Sequence, residues 1–337
     1  MTKRKIIITG AAGFIGSQLA YDLHQQGNQV VLMDDMSFGY EDNLIIDGDT
    51  FGEFHQVDIR KPETEKLYVG VDTVFHFAGI SALPVNQENP YYSIDVNVAG
   101  TANVLEMARR NNVRRVVFAS TSAIYENNET FPNKEDDAVS PYLIYSNSKL
   151  QAELLCKSYY KTYGLEVVII RYFNVYGPHQ DFKRVSPPFT SYVIRELLHE
   201  RQPVLHSSGD QKRDYVFVDD INRLNKICMD HPNAPGQTFN AASGKNYSVK
   251  EIYNLLASSL SSDIVPTYRE ASKFWEKYPK LFNGHYPLPL NILEKEVNKF
   301  TLGSPEKAKN ILGWETLINI ENGIKITAEY AKKHLVN

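Results

Sequence analysis

The sequence Gly10-Ala-Ala-Gly13-Phe-Ile-Gly16 directly follows an apolar run, Lys5-Ile-Ile-Ile-Thr9, and leads into a stretch of helical periodicity, Ile15–Gln26. Few local patterns restrict a fold more. Glycines at this spacing permit a tight turn, let backbone approach a bound group closely and let a helix pack close against a strand. A strand that turns into a helix in this way opens a βαβ unit, and such units build parallel sheets covered on both faces.

The first half of the chain repeats the alternation. Strands are predicted at Lys5–Thr9, Gln29–Asp34, Glu53–Asp58, Thr73–Ala78, Arg115–Ser120 and Glu166–Tyr172, and helices near Ile15–Gln26, Val98–Asn111 and Tyr142–Tyr163. Ser140 and Pro141 are suitable cap and first-turn residues for the last of these. Beyond residue 177 helices are predicted near Pro188–Glu200, Val218–Met229, Val249–Leu260, Pro305–Leu312 and Ile320–His334. The expected fold is α/β: a Rossmann-type doubly wound parallel sheet with a smaller, interleaved C-terminal lobe. Residues 1–177 are expected to form the dinucleotide-binding domain, with a segment near 211–242 returning to it, and residues 178–337 mainly a substrate-binding lobe. Tyr268–Leu290 concentrates Phe274, Trp275, Tyr278, Phe282, His285 and Tyr286 among three prolines, and reads either as a loop over a ligand or as an aromatic mini-core.

Composition narrows the partners. A chain of 337 residues, 42% hydrophobic, can bury a full core, and a net charge of −4 provides no global basic field for nucleic acid or an anionic membrane. Cys156 and Cys228 fall in predicted helices and are too few for a disulfide framework, as expected of core residues in a reducing cytoplasm. The run Met1–Thr9 reads as a first strand, too short for a signal peptide or a membrane span.

The glycine loop has its own chemistry. Gly10, Gly13 and Gly16, with Phe14 and Ile15, bring a helix N-terminus to the turn, where free N–H groups and the positive dipole end favour a pyrophosphate. Asp34 ends the second strand 18 residues after Gly16, where a carboxylate accepts hydrogen bonds from an adenosine ribose. A ribose 2′-phosphate would meet both Asp34 and Asp35, so the cofactor expected is NAD rather than NADP. Asp58, followed by Ile59, either contacts the adenine or caps a turn. No metal site is expected.

Tyr145 and Lys149 form the only Tyr-x-x-x-Lys in the chain. On a helix, residues four apart share a face, so an ammonium would stand beside a phenol, lower its pKa and make it a usable general base. Upstream, Ala119-Ser120-Thr121-Ser122-Ala123-Ile124-Tyr125 closes a strand at its carboxyl end, where open α/β sheets place ligands. A hydroxyl there can hydrogen-bond the substrate oxygen that Tyr145 deprotonates.

These segments together resemble the extended short-chain dehydrogenase/reductase family, in its nucleotide-sugar epimerase/dehydratase branch. The likeness runs from Gly10 to about Trp314 and includes His76-Phe-Ala-Gly79, Asn97-Val-Ala-Gly-Thr101, Tyr145-Ser-Asn-Ser-Lys149, Arg171-Tyr-Phe-Asn-Val-Tyr-Gly-Pro178, Gly209-Asp-Gln-Lys-Arg-Asp214 and Lys309-Asn-Ile-Leu-Gly-Trp314. The resemblance implies Tyr145 as catalytic base, Thr121 as catalytic hydroxyl with Ser122 beside it, and Lys149 on the nicotinamide ribose. It implies a cofactor contact at Ala78-Gly79, with Ser81 either facing the sugar or lying in plain loop. It further implies that Asn174 and Arg213 hold the nucleotide diphosphate, apt for an arginine fork, and that copies of the chain pair as a homodimer.

The branch begins by oxidising a sugar carbon, usually C4, to a ketone. Related dehydratases and decarboxylases carry a Glu two residues after the catalytic hydroxyl; here that residue is Ala123, which cannot exchange a proton. The resemblance therefore implies a UDP-sugar 4-epimerase, of plain or N-acetylated hexoses, with a dehydratase or 4-dehydrogenase as the rival and a non-catalytic NAD(H)-binding sensor as the rival of another class. Two positions depart from the pattern. Leu293 stands where an arginine for the diphosphate is usual, with Lys295 or Lys299 as replacements, and Tyr125 is followed by Glu126 where glycine is usual. Glu126 is expected on an exposed turn, the alternative being an acid beside the active site that serves the chemistry.

Overall fold

Strands β1 (Lys5–Thr9), β2 (Gln29–Asp34), β3 (Glu53–Gln56), β4 (Thr73–His76), β5 (Arg115–Thr121), β6 (Glu166–Tyr172) and β7 (Thr238–Ala241) form one sheet, all parallel, in the order β7-β6-β5-β4-β1-β2-β3. This computed structural model describes residues 3–46 and 48–335. The start of the N-terminal run and the outer ends of the two expected units lie outside the described residues. Successive side chains alternate between faces. Ile6, Ile8, Val30, Leu32 and Val117 pack with Leu19 and Leu23 of α1 (Phe14–Gln25) and with Ile221 and Cys228 of the helix Val218–Asp230. Ile7, Val31, Val116 and Phe118 pack with Leu105 and Ala108 of α2 (Gly100–Arg110) and with Ala152 and Cys156 of α3 (Ile144–Tyr163). Burial on both faces is why these strands read as continuous apolar runs, and both cysteines are free core thiols.

The strand order reverses between β1 and β4, which opens a crevice at their carboxyl ends. There β3 and β4 stop two residues earlier than the apolar pattern predicts. After Val57 N–H to the Asp34 carbonyl (2.9 Å) and Phe77 N–H to the Thr9 carbonyl (3.1 Å), each chain turns off the sheet into the crevice. β5 runs one residue further than expected, through Thr121, which pairs with Tyr172.

Two helix starts also differ. A π-helical turn, Asp95–Ala99, precedes α2. The helix α3 begins at Ile144, so Ser140 and Pro141 are not its cap and first turn. The N–H groups of Tyr142 and Leu143 instead donate to the Glu126 carboxylate, and Ile144 N–H donates to Gln87 Oε1 (2.8 Å).

In the second half, the helices Phe189–Leu198, Val249–Leu260 and Ile320–Leu335 enclose a core around Val193, Ile252 and Ile324. Beside them Lys212–Phe217 pairs parallel with Asn174–Tyr176 and antiparallel with Asn246–Ser248; between Phe217 and Asn246 the chain returns to the main sheet as β7. Three short helices, Leu83–Glu88, Pro90–Ile94 and Leu290–Asn298, escape the periodicity because none spans ten residues. The aromatic stretch forms a mini-core. Trp275, Leu281 and Leu293 form a buried cluster with Phe274 and Tyr278, while Phe274 and Trp275 also face a large cavity.

Candidate active site

A cavity of about 870 Å³ runs from the glycine loop, past the ends of β2, β4 and β5, to the aromatic cluster. Gly10 has φ +70°, and a Cβ there would stand 2.7 Å from the Ala78 nitrogen; a Cβ on Gly16 would stand 2.3 Å from the Gly10 carbonyl oxygen. Both positions exclude a side chain. The first bond of α1 runs from Ser17 N–H to the Gly13 carbonyl (3.1 Å), so the N–H groups of Phe14, Ile15 and Gly16 precede the intrahelical ladder, on the wall of the cavity. Asp34 accepts from Ala12 N–H (3.0 Å) and Met36 N–H (2.9 Å), one on each oxygen. Each oxygen keeps further acceptor capacity. Burial raises the pKa of Asp34 and those two N–H groups oppose the shift. An N–H-lined cradle followed by a buried carboxylate fits the pyrophosphate and ribose of NAD, with Ala78, Ile59 and Lys149 on the same wall.

Asp58 also lines this wall. It accepts from Arg60 N–H (2.9 Å) and grips the Arg60 guanidinium, whose hydrogen bonds hold the carboxyl below its usual range. It therefore caps the turn at the edge of the cavity.

Thr121, Tyr145 and Lys149 all line the cavity. Thr121 ends β5; Tyr145 and Lys149 stand one turn apart on α3, and Glu153 continues the stripe one turn further on. Thr121 lies close enough to the Tyr145 phenol to act on its proton. Burial pushes that phenol above its ordinary value, while Thr121 and the charge of Arg184 work against the shift. Lys149, expected to lower it, is not among the groups that shift it. The Lys149 ammonium lies 4.3 Å over the Phe118 ring and is itself drawn down to about 8 by burial, with Cys156 and Glu153 opposing. Its neighbour His76, bonded to Thr9 Oγ1 (2.7 Å) and Thr101 Oγ1 (3.0 Å), is pushed to about 3 by burial and by the charge of Lys149, and stays neutral.

Ser81, Asn174 and Arg213 also face the cavity, whereas Ser122 is buried in the turn Ser122–Tyr125 and is not among the wall residues. Asn174 Nδ2 donates to the Asp214 carbonyl (2.9 Å). Arg213 donates to the carbonyls of Glu296 and Val297 (3.1 Å each), at the carboxyl end of the helix that holds Leu293. Leu293 belongs to the aromatic cluster, and neither Lys295 nor Lys299 reaches the wall: Lys295 bonds Asn127 Oδ1 (2.6 Å) and Lys299 pairs with Glu296 (3.4 Å). The cations that do reach it, beyond Lys149 and Arg213, are Arg184, Arg269, Lys273 and Lys277, which lie outside regular periodic segments.

Two further residues escaped the sequence reading. Asn97, on the wall, accepts from Ile80 N–H (2.8 Å) and donates to Ser148 Oγ (3.0 Å), tying the Ala78–Ser81 loop to α3. It sits in the π turn, and its place in Asn97-Val-Ala-Gly-Thr101 was the available signal. Glu126 is 7% exposed, which corrects its placement on an exposed turn. Around a second, smaller pocket, Tyr40 Oη donates to Asp181 Oδ1 (2.9 Å), Lys183 pairs with Asp42 (2.5 Å) and His179 Nδ1 meets Asn43 Oδ1 (3.2 Å). These contacts join the loop after β2 to the segment leading to Arg184.

Among the described residues no group of three or more His, Cys, Asp or Glu side chains is placed to hold a metal ion, and no helix is long and apolar enough to cross a membrane. The chain is 31% identical over 334 residues to a putative UDP-glucose 4-epimerase of Methanocaldococcus jannaschii, covering 98% of this chain and 99% of that one. It is 30% identical over 342 residues to a UDP-glucuronate 4-epimerase of Thermodesulfobacterium geofontis, covering 98% and 96%. Its fold matches the crystal structure of UDP-glucose 4-epimerase with UDP-glucose from Thermotoga maritima at a TM-score of 0.87 and 28% identity, covering 98% of this chain and 99% of that one. The sequence pattern of the NAD dependent epimerase/dehydratase family spans residues 6–242, from β1 through β7 and so through the whole of the sheet that carries the cradle, Thr121 and Tyr145; the chain belongs to that family.

Proposed function

We propose that the protein is a nucleotide-sugar 4-epimerase acting on a UDP-hexose or UDP-N-acetylhexosamine. The observation that carries this reading is the Thr121–Tyr145 pair brought together on the cavity wall, with alanine rather than a carboxylate two residues after Thr121. Bound NAD supplies the acceptor and donor for the hydrogen at C4. Tyr145 takes the proton of the C4 hydroxyl and returns it after the 4-keto sugar has presented its other face. Thr121 holds the same oxygen in line. Lys149, over Phe118, supplies positive charge and a donor at the cofactor end of the cavity. Gly10, Gly13, Phe14, Ile15, Gly16, Asp34, Asp58, Ile59 and Ala78 serve the cofactor, and Ser81, Asn174 and Arg213 the substrate. Ser122 is left out of the substrate set because it is absent from the wall. Residues 1–177 with the 211–242 return act as the cofactor unit, and residues 178–337 mainly as the substrate unit.

The likeness to relatives described as UDP-glucose and UDP-glucuronate epimerases supports a UDP-sugar. Two buried free thiols suit a reducing cytoplasm. A homodimer through α3 is supported by Leu154, 55% exposed on that helix, and Tyr91, 82% exposed on a helix packed beside it.

The test is incubation of purified protein with UDP-glucose, UDP-galactose, UDP-glucuronate and UDP-N-acetylglucosamine, without added NAD, read by NMR. Interconverted C4 epimers are expected, and Tyr145→Phe is expected to lower kcat by about 10²–10⁴-fold. An accumulating keto sugar, or full turnover by Y145F, would sink the reading.

A further inference from the structure

We propose that Glu126 is a positioning residue of this site: its buried carboxylate joins the turn after Thr121 to the first turn of α3 and so sets how Thr121 and Tyr145 face each other. The inference rests on the reading of Thr121 and Tyr145 given above.

Glu126 follows directly on the turn Ser122–Tyr125 and is fixed to it by its N–H to the Ala123 carbonyl (3.1 Å). From there Oε1 accepts from Tyr142 N–H, Leu143 N–H (2.9 Å) and Ser146 Oγ (2.8 Å). Those three donors bracket Tyr145. Oε2 is buried without a hydrogen-bond partner, so the side chain is held out of water at a cost that needs a compensating role. The compensation is at hand, because the ionised carboxylate stands at the amino end of α3 and satisfies N–H groups that precede its ladder.

A second anchor shows why one tie is not enough. Glu153, two turns beyond Tyr145, accepts from Ser120 Oγ (2.6 Å) and fixes the middle of α3 to β5. Without Glu126, the first turn keeps its ties to Gln87 at Ile144 and to Asn97 at Ser148, but loses the one that runs to the turn after Thr121. Glycine at this position would make no such tie.

The tie depends on charge. Burial raises the pKa of Glu126, and the opposing influences are the Leu143 and Tyr142 N–H groups, Ser146 and the charge of Lys299. Tyr142 and Glu296 also belong to this environment, and Lys295 lies 5.2 Å over the Tyr142 ring. As pH falls through the raised value the carboxylate gains a proton and its hold on the helix end weakens, so an acid limb of kcat is expected to report it.

The experiment compares wild type, Glu126→Gln, Glu126→Ala and Tyr145→Phe, all loaded with NAD, on UDP-glucose and UDP-glucuronate. E126A is expected to lose about 10–100-fold in kcat, the scale of an ångström-sized misplacement, with KM changed less than about threefold. E126Q keeps a neutral acceptor at the same place, so it is expected to recover most of the rate at neutral pH while its acid limb flattens. Unchanged kcat in E126A, or an acid limb of E126Q that coincides with wild type, overturns the proposal. If E126A does not fold, the pH profile of E126Q decides alone. Turnover by Y145F, or none by wild type, removes instead the reading on which the tie rests.

Discussion

Lys149 is held where its charge is costly to keep, and this gives the residue two opposite pH signatures. Burial brings its pKa to about 8 from an ordinary 10.5. Under the proposed role the ammonium is the working form, so kcat is expected to fall as pH rises through about 8, and Lys149→Arg, whose guanidinium stays charged, is expected to remove that limb at a reduced rate. Stability runs the other way. Between about 8 and 10.5 the unfolded chain binds the proton that the folded chain has released, so this group's contribution to stability rises with pH across that window. A pH–rate profile and a pH series of denaturant melts on the same protein separate the two.

At the scale of elements, α3 is positioned by a buried polar network. Arg171 on β6 makes a two-pronged bond to Glu153 (2.9 and 2.8 Å), Arg171 Nη1 also donates to Tyr125 Oη (2.6 Å), and Tyr125 Oη donates to Asn240 Oδ1 on β7 (3.0 Å). The side chains of Glu153 and Arg171 are 0% and 3% exposed. Removing one partner strands a charge in a place water does not reach, whereas replacing both with apolar groups does not. Glu153→Ala is therefore expected to cost about 3–5 kcal/mol in chemical denaturation, and the double variant Glu153→Leu/Arg171→Met to recover most of it. The network also explains why the helix was legible and its start was not. The i, i+4 spacing of Tyr145, Lys149 and Glu153 is local, whereas the first turn is completed by Glu126, 16 or more residues upstream, and by Gln87, 57 residues upstream. A capping rule that inspects only Ser140 and Pro141 cannot see them.

Across the whole molecule, what the sequence revealed was what neighbours in the chain decide: apolar runs buried on both faces, the glycine turn, the acid at the end of β2. What it concealed depends on distant partners. Leu293 reads as a missing arginine but is a core residue of the aromatic cluster, and Arg184 gives no sign in the chain that its charge reaches Tyr145. Quaternary structure belongs to this scale too. If α3 pairs two copies, Leu154→Glu is expected to shift the protein from dimer to monomer by light scattering, and an unchanged mass would exclude that face. The three contacts around the second pocket, Tyr40 with Asp181, Lys183 with Asp42 and His179 with Asn43, join the loop after β2 to the segment bearing Arg184, and residues of both segments also line the chamber that holds the glycine cradle. The two walls are therefore coupled: a shift of the loop beside Asp34 is expected to carry Arg184 with it, so that a change at one end of the chamber is felt at the other.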